Sequence, residues 1–424
     1  MIKYLTAACL SIVTCLSGFH ISNPITLTAP DLDGASPPKL AYNNAGDIAI
    51  LWKATINNKE ALQLSARSSD LTWSESETLS PWEEEISGFD IHLDSKGATS
   101  IWWKNAKAKE NLQLLQKSPG EIDFQSYQLS SSLLSKGIIL LNGNFAQVTS
   151  SLTFSSKGLT NLLQISEYSS PHLPPLDTTL SEDQSALNLA YFVSNYRNNC
   201  LCTWIDHNFS LNYSWGGDQN WSNPVRIGSL PENSFSLKTA GIIDQKGQGI
   251  LAISIQVDNS EEIVPKIFAT TFSEGVFSPL LEVGNNEYGV GPNCSINHFG
   301  DAFIVWNSVQ NGIAIVKAAY KLQNQEEFTM IDMQNLRGDN LFPKVRCTSK
   351  GDFVVIWNNH RESPGEQSVW GNLFSTEKQT FSPLTKLSTK KGFHLFTDFF
   401  LTEENSGLIT WMINDLVQVA DLHL

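Results

Sequence analysis

Two stretches of the chain set a histidine beside a carboxylate: Asp206-His207, and Asn358-Asn359-His360-Arg361-Glu362. A histidine with an acidic neighbour can shuttle protons near neutral pH. Each stretch comes just after an apolar run that contains the motif tryptophan, and Lys53, Lys104 and Asn307 follow the tryptophan of their own repeats. Trp82 stands beside Glu83-Glu84-Glu85, where an exposed aromatic residue would suit a binding surface and the acidic trio would attract a cation or a basic partner. Trp82, Lys104, Asp206, His207, His360 and Arg361 are therefore the candidate binding residues. The plain alternative for all of them is a solvated polar loop, and no residue is assigned a catalytic role.

Recognisable catalytic patterns are missing. There is no His-Glu-x-x-His, no phosphate-cradling Gly loop, no Gly-x-Ser-x-Gly elbow and no EF-hand pattern. Of six cysteines, Cys9 and Cys15 fall in the N-terminal apolar run. Cys200, Cys202, Cys294 and Cys347 remain, too few for a disulfide scaffold and without a Cys-x-x-Cys pair for zinc. No cofactor and no metal are expected. The net charge of −15 repels phosphate backbones and argues against nucleic acid as a partner.

The elements that would position these residues repeat. A unit of Gly or Asn, a small or polar residue, four mostly apolar positions and Trp runs from Gly46 to Trp52, and again from Gly97 to Trp103. It returns at Asn198–Trp204, Gly300–Trp306, Gly351–Trp357 and Asn405–Trp411. Weaker copies at Gly143–Thr149 and Gly247–Ile253 lack the Trp. Successive starts lie 46 to 55 residues apart, the period of a propeller blade. Within each unit a short strand precedes the Gly, whose positive φ suits a tight hairpin. The apolar run forms a second strand buried on both faces, and its Trp is read as packing between blades and not as a sugar-stacking platform. A third strand alternates, as in Ala61-Leu62-Gln63-Leu64-Ser65. A fourth opens on an aromatic residue, as in Trp221-Ser222-Asn223-Pro224, Phe277-Ser278-Pro279 and Phe381-Ser382-Pro383; proline is tolerated there because that strand is an outer edge.

The fold expected is an all-β propeller of about eight four-stranded blades, or seven if the segment between Gly97 and Asn198 is an insertion. After Trp411 only Leu416–Leu424 remains, so the last blade lacks a fourth strand. Ile21-Ser22-Asn23-Pro24-Ile25-Thr26-Leu27 carries the fourth-strand pattern. The N-terminus is thus expected to pair into the C-terminal blade and close the ring.

The blade pattern resembles the sialidase-like superfamily, whose repeats often carry an Asp-box. Ala66–Trp73 and Ser214–Trp221 match that box in part, each with Asp where the box has Gly. In that family the box is a turn motif, so Asp70 and Asp218 are read as turn-formers. Sialidase chemistry would require three arginines, a Tyr nucleophile with a Glu partner, and an acid/base Asp. Only six arginines are present, and Arg226-Ile227 is followed by Gly228 in place of the family's Arg-Ile-Pro. The resemblance implies fold and not activity.

Lys3 followed by the apolar run Leu5–Leu16 and small residues at Ser17 and Gly18 reads as a signal peptide over 1–18, with a single propeller domain over 19–424. The chain is expected to be exported: periplasmic, cell-surface or secreted. Anchoring as a lipoprotein through Cys15 is disfavoured because Ile12-Val13-Thr14 fits a lipobox poorly. No transmembrane helix is expected beyond the signal. The function expected is non-catalytic binding of a protein or glycan through the loop face. The alternatives are a glycan-active hydrolase using facing carboxylates, and a structural part of an envelope complex.

Overall fold

The computed structural model describes residues 20–28, 32–43, 45–67, 72–82, 85–94, 96–105, 111–130, 136–139, 145–155, 158–168, 176–183, 187–194, 200–206, 208–217, 220–244, 246–258, 262–273, 275–284, 289–360, 367–388 and 392–424. These residues form an all-β, propeller-like architecture of antiparallel sheets. None of them belongs to a helix long and apolar enough to cross a membrane.

Among the described residues eight sheets follow one another in chain order, built mainly from strands adjacent in sequence, with the N-terminal strands joining the last sheet. We number them by their second strands: sheet 1 (Ile48–Ile56), sheet 2 (Thr99–Asn105), sheet 3 (Phe145–Ser155), sheet 4 (Cys200–Ile205), sheet 5 (Gln248–Asp258), sheet 6 (Ala302–Gln310), sheet 7 (Phe353–His360) and sheet 8 (Ser406–Ile413). The segment with the poorest repeat is a regular sheet, with Lys136–Ile139, Phe145–Ser155, Gly158–Tyr168 and Leu176–Asp183 paired in order.

A five-residue turn opens most second strands. Its first residue receives two backbone N–H groups on one side-chain oxygen. Asn43 Oδ1 accepts from Ala45 and Asp47 at 3.0 Å each, and Asp94 Oδ1 from Lys96 and Ala98. Asp244, Asn297 and Thr348 repeat the arrangement. The fourth position must turn left-handed, and Gly46, Gly97, Gly247, Gly300 and Gly351 adopt φ between 80° and 90° there. This geometry is why the repeat begins with Gly. The Asp that follows it in two sheets caps the end of the third strand. Asp301 Oδ1 accepts from Gln323 N at 3.0 Å, and Asp352 Oδ1 from Thr376 N at 2.9 Å.

The motif tryptophans are core. Trp52, Trp306 and Trp357 are fully buried, and Trp103, Trp204 and Trp411 nearly so. Two of them show the packing between neighbouring sheets: Trp306 lies against Ile250, Ile267 and Val283 of sheet 5, and Trp411 against Val354 and Ile356 of sheet 7. Burial of one such ring stabilises the interface by about 2–3 kcal/mol.

The pattern of an aromatic residue and Ser shortly before Pro also acquires a cause. Proline interrupts the fourth strand, and the serine side chain takes over a ladder bond. Trp215 N donates to Ser222 Oγ, Thr271 N to Ser278 Oγ and Leu373 N to Ser382 Oγ, each at 3.0 Å. Each serine N–H returns a bond to the same third-strand residue. The N-terminus reproduces the motif: Asp421 N donates to Ser22 Oγ, and Ser22 N to Asp421 O, both at 2.9 Å. His20–Ile21 and Ile25–Thr26 pair antiparallel with Leu416–His423, in the register Ile21↔Leu422 and Ile25↔Val419. Sheet 8 in turn packs on sheet 1, where Phe400, Val417 and Val419 meet Ile48, Ile50 and Trp52. Arg67 and Asp421 join the same two sheets at 2.6 Å.

Candidate site on the inner edge of the sheets

Of the residues singled out by sequence, those among the described residues come from different repeats. Asp206 heads a turn of the kind just described: its Oδ1 accepts from Asn208 N and Ser210 N at 2.9 Å each, with Phe209 left-handed at φ 55°. Asn212 Nδ2 occupies its other oxygen at 3.1 Å. A carboxylate so engaged builds a hairpin. His207 and Arg361 fall outside the described residues. His360 ends the second strand of sheet 7, with Gln367 Nε2 3.1 Å from its Nδ1. Burial lowers its pKa, and Asp339 opposes that in part. Lys104 is half-buried on sheet 2, which lowers its pKa. Trp82, expected as an exposed aromatic, is half-buried against the cluster of Ile48, Ile50 and Trp52. Asp70 and Asp218 also lie outside the described residues.

Several polar residues after the motif Trp are stitches between sheets. Asn307 of sheet 6 donates to Asn340 O at 2.7 Å and accepts from Phe342 N at 3.0 Å, both on sheet 7. Asn358 of sheet 7 accepts from Phe396 N of sheet 8 at 2.9 Å. Lys53 reaches Glu60 at 2.7 Å, and Glu60 accepts from Ile86 N, where sheet 2 begins.

Chemistry gathers instead on the first strands. The first strand of sheet 8 (His394–Leu401) contacts that of sheet 7 (Asp339–Cys347) on one side and that of sheet 1 (Lys39–Tyr42) on the other. The sheet 1 strand in turn contacts that of sheet 2 (Ile86–Leu93). Asp398 lies at the centre, 2.9 Å from Lys344 Nζ and 3.0 Å from an Arg346 nitrogen. Arg346 is held by Val345 O at 2.9 Å and by Asn293 of sheet 6, and its guanidinium lies over the Phe399 ring. Tyr42 stacks on Phe400 with ring centres 4.1 Å apart.

Electrostatics divides the two carboxylates of this edge. Burial pulls both upward. At Asp398 the Lys344 and Arg346 charges outweigh it and hold the pKa below the ordinary carboxylate value. At Asp90 burial prevails over Lys39, and Asp398 adds repulsion, so its pKa is raised. The Tyr42 hydroxyl is pushed up by burial despite the opposing pull of Arg346, although 41% of the residue stays accessible. His92 is driven down to about 4 by burial. Lys39, Lys344 and Arg346 thus stand against Asp90 and Asp398 on the first strands, a basic patch in a chain of net charge −15. Asp339 is turned aside, accepting from Ala314 N at 2.8 Å. Among the described residues no group of three His, Cys, Asp or Glu side chains is placed to hold a metal. Cys294 and Cys347 are free thiols, and burial raises the Cys294 pKa to about 12.

Sequence reasoning passed over this patch because its members stand one or two per repeat. The available signal was a charged residue at an inward position of a first strand, as in Lys344-Val345-Arg346.

Neither a protein-family model nor a curated protein sequence matches the chain. Solved structures do resemble it. An ulvan lyase representing a new polysaccharide lyase family, bound to GlcA(1-4)Rha3S, superposes with a TM-score of 0.53 at 10% identity, over 93% of this chain and 95% of that one. A protein of unknown function from Dyadobacter fermentans gives 0.46 at 10% identity, over 96% and 100% of the two chains. The NanB sialidase of Streptococcus pneumoniae gives 0.40 at 10% identity, over 94% and 70%. At such identity the likeness to the ulvan lyase is one of fold alone.

Proposed function

We propose that the eight sheets are the blades of a closed eight-bladed propeller, exported from the cell, that binds an anionic glycan where the first strands meet. The observation that carries this reading is the convergence of Lys39, Tyr42, Lys344 and Arg346 from sheets 1 and 7 on one inner edge. Basic side chains bind carboxylate or sulfate groups, Arg346 with a planar fork of donors, and an accessible tyrosine ring beside them offers a stacking face. The fold is one on which an ulvan lyase holds GlcA(1-4)Rha3S, which makes acidic saccharides the first ligands to test. The motif tryptophans take no part, being buried between sheets.

Calorimetric titration of the mature chain with uronate-containing and neutral oligosaccharides tests the reading. Binding is expected for the acidic set only. Arg346→Met is expected to weaken it at least tenfold, about 1.4 kcal/mol. Equal affinity for neutral oligosaccharides, or an unchanged Arg346→Met, would overturn it.

A second reading, that the bound glycan is also cleaved, draws on the opposite pKa displacements of Asp90 and Asp398. A carboxyl whose pKa is raised beside one whose pKa is lowered is the direction of displacement that acid–base chemistry at a glycosidic bond uses. Release of reducing ends from the same oligosaccharides, abolished in Asp90→Asn, would favour it. Export is tested by N-terminal sequencing of the mature protein. Cleavage is expected before His20, because Ile21 and Ser22 are needed in sheet 8.

A further inference from the structure

Away from the inner edge, a cleft of about 190 Å³ opens between sheets 5 and 6, lined by Gln248, Phe272, Ser273, Ile296, Lys321 and Gln323 among others. Lys321 ends the third strand of sheet 6 and is only 8% exposed. Burial lowers its pKa, and no carboxylate among the described residues offsets that. The carboxylates of the two turns that reach the cleft are engaged elsewhere. Asp301 accepts from Gln323 N and Asn297 Nδ2, and Asp244 from Lys246 N and Gln248 N. On the facing sheet the Gln248 side-chain oxygen is buried and has no hydrogen-bond partner.

A desolvated ammonium without a counter-charge and a buried amide oxygen without a donor are both unfavourable. Here they line the same cleft. Its walls are Phe272 and Ile296, both buried, and at its mouth the Gln323 side chain lies against Gly300. One ligand would satisfy both groups: an oxyanion to meet Lys321, with a neighbouring hydroxyl to donate to Gln248. We infer that this cleft is a binding site for a small hydroxylated oxyanion, a sugar acid or a sugar sulfate, with Lys321 as its counter-charge. The volume admits about one monosaccharide unit and no more. The site is separate from the inner edge and independent of what binds there.

Thermal unfolding of the mature chain, titrated with glucuronate, glucose 6-sulfate or glucose at matched ionic strength, tests the inference. The midpoint is expected to rise and saturate with at least one of the two anions and to stay flat with glucose. A response to glucuronate alone identifies a carboxylate site, and a response to glucose 6-sulfate alone a sulfate site. Lys321→Met, which removes an unpaired charge, is expected to melt no lower than the parent without ligand, to respond less than the parent, and to lose the anion response when combined with Arg346→Met. Gln248→Leu keeps the charge and is expected to weaken the response about tenfold. Arg346→Met, on the inner edge, is expected to retain it, which separates this site from the one proposed above. An equal response in Lys321→Met and the parent, or none beyond that to sodium chloride in the parent, would overturn the inference.

Discussion

Asp206 and Asp398 show how differently the same residue type is used within this chain. Asp206 gives both oxygens to the backbone and side chain of its own hairpin. Asp398 receives cations that the next sheet supplies. His92 illustrates the cost of burial on the inner edge: its pKa falls to about 4, and its Nε2 is buried without a partner. Because the folded value lies below the ordinary 6.5, the unfolded chain binds a proton between about pH 6.5 and 4 that the folded chain does not. Stability is therefore fully present above 6.5 and declines as pH falls towards 4, by up to about 3 kcal/mol from this residue. Denaturant unfolding at pH 7.5 and 4.5 should show a smaller pH difference in His92→Gln than in the parent. An identical difference would mean that His92 keeps its proton equilibrium on folding.

Among the turns and strands, the repeated Gly is a demand of one left-handed turn position. Gly46 and Gly351 have nearly the same φ, 89° and 90°, but different surroundings. A Cβ on Gly46 would meet nothing within 4 Å, whereas on Gly351 it would lie 2.8 Å from the Phe299 ring. Gly46→Ala should therefore cost about 1–2 kcal/mol from backbone strain alone, and Gly351→Ala more, because the ring must move as well. Comparing the two unfolding midpoints checks this, and equal losses would show that Phe299, 54% exposed, yields freely. Asn405 holds the corresponding position of sheet 8 at φ 58°, consistent with asparagine's tolerance of that conformation.

Over the full fold, the two ends of the chain share one sheet. Ser22 completes for sheet 8 the bond that Ser222, Ser278 and Ser382 complete for their own sheets. Removing residues up to Leu27 would strip the outer strand from Leu416–His423 and leave the Gln418 side chain without Thr26. The truncated chain should melt several degrees lower and expose the sheet 8 edge to aggregation. Midpoints equal to the parent's would show that the N-terminal strand adds nothing to the stability of sheet 8. The opposite operation should be tolerated. With His20 paired to His423, a permutant joining residues 424 and 20 and opening in an exposed loop should fold.

The strands, their order and the partner of each chain end could be read from residue patterns alone, because these follow from local periodicity. Gly marks a turn that needs positive φ, Trp a strand buried on both faces, and an aromatic-Ser pair shortly before Pro an interrupted outer strand. Even the weakest repeat, without its Trp, formed a paired sheet. What the chain recognises belongs to another level. Lys39, Asp90, Arg346 and Asp398 sit on four sheets and become neighbours only when the first strands assemble. Lys321 and Gln248 come to line one cleft only because sheets 5 and 6 pack side by side. Conversely, Asp206 and Trp82 looked chemically equipped in sequence and were drawn into a hairpin and a core, since hydrogen-bond satisfaction and apolar burial outweigh any tendency to stay exposed. Local pattern fixes local structure, whereas a site needs long-range contacts that no single repeat encodes.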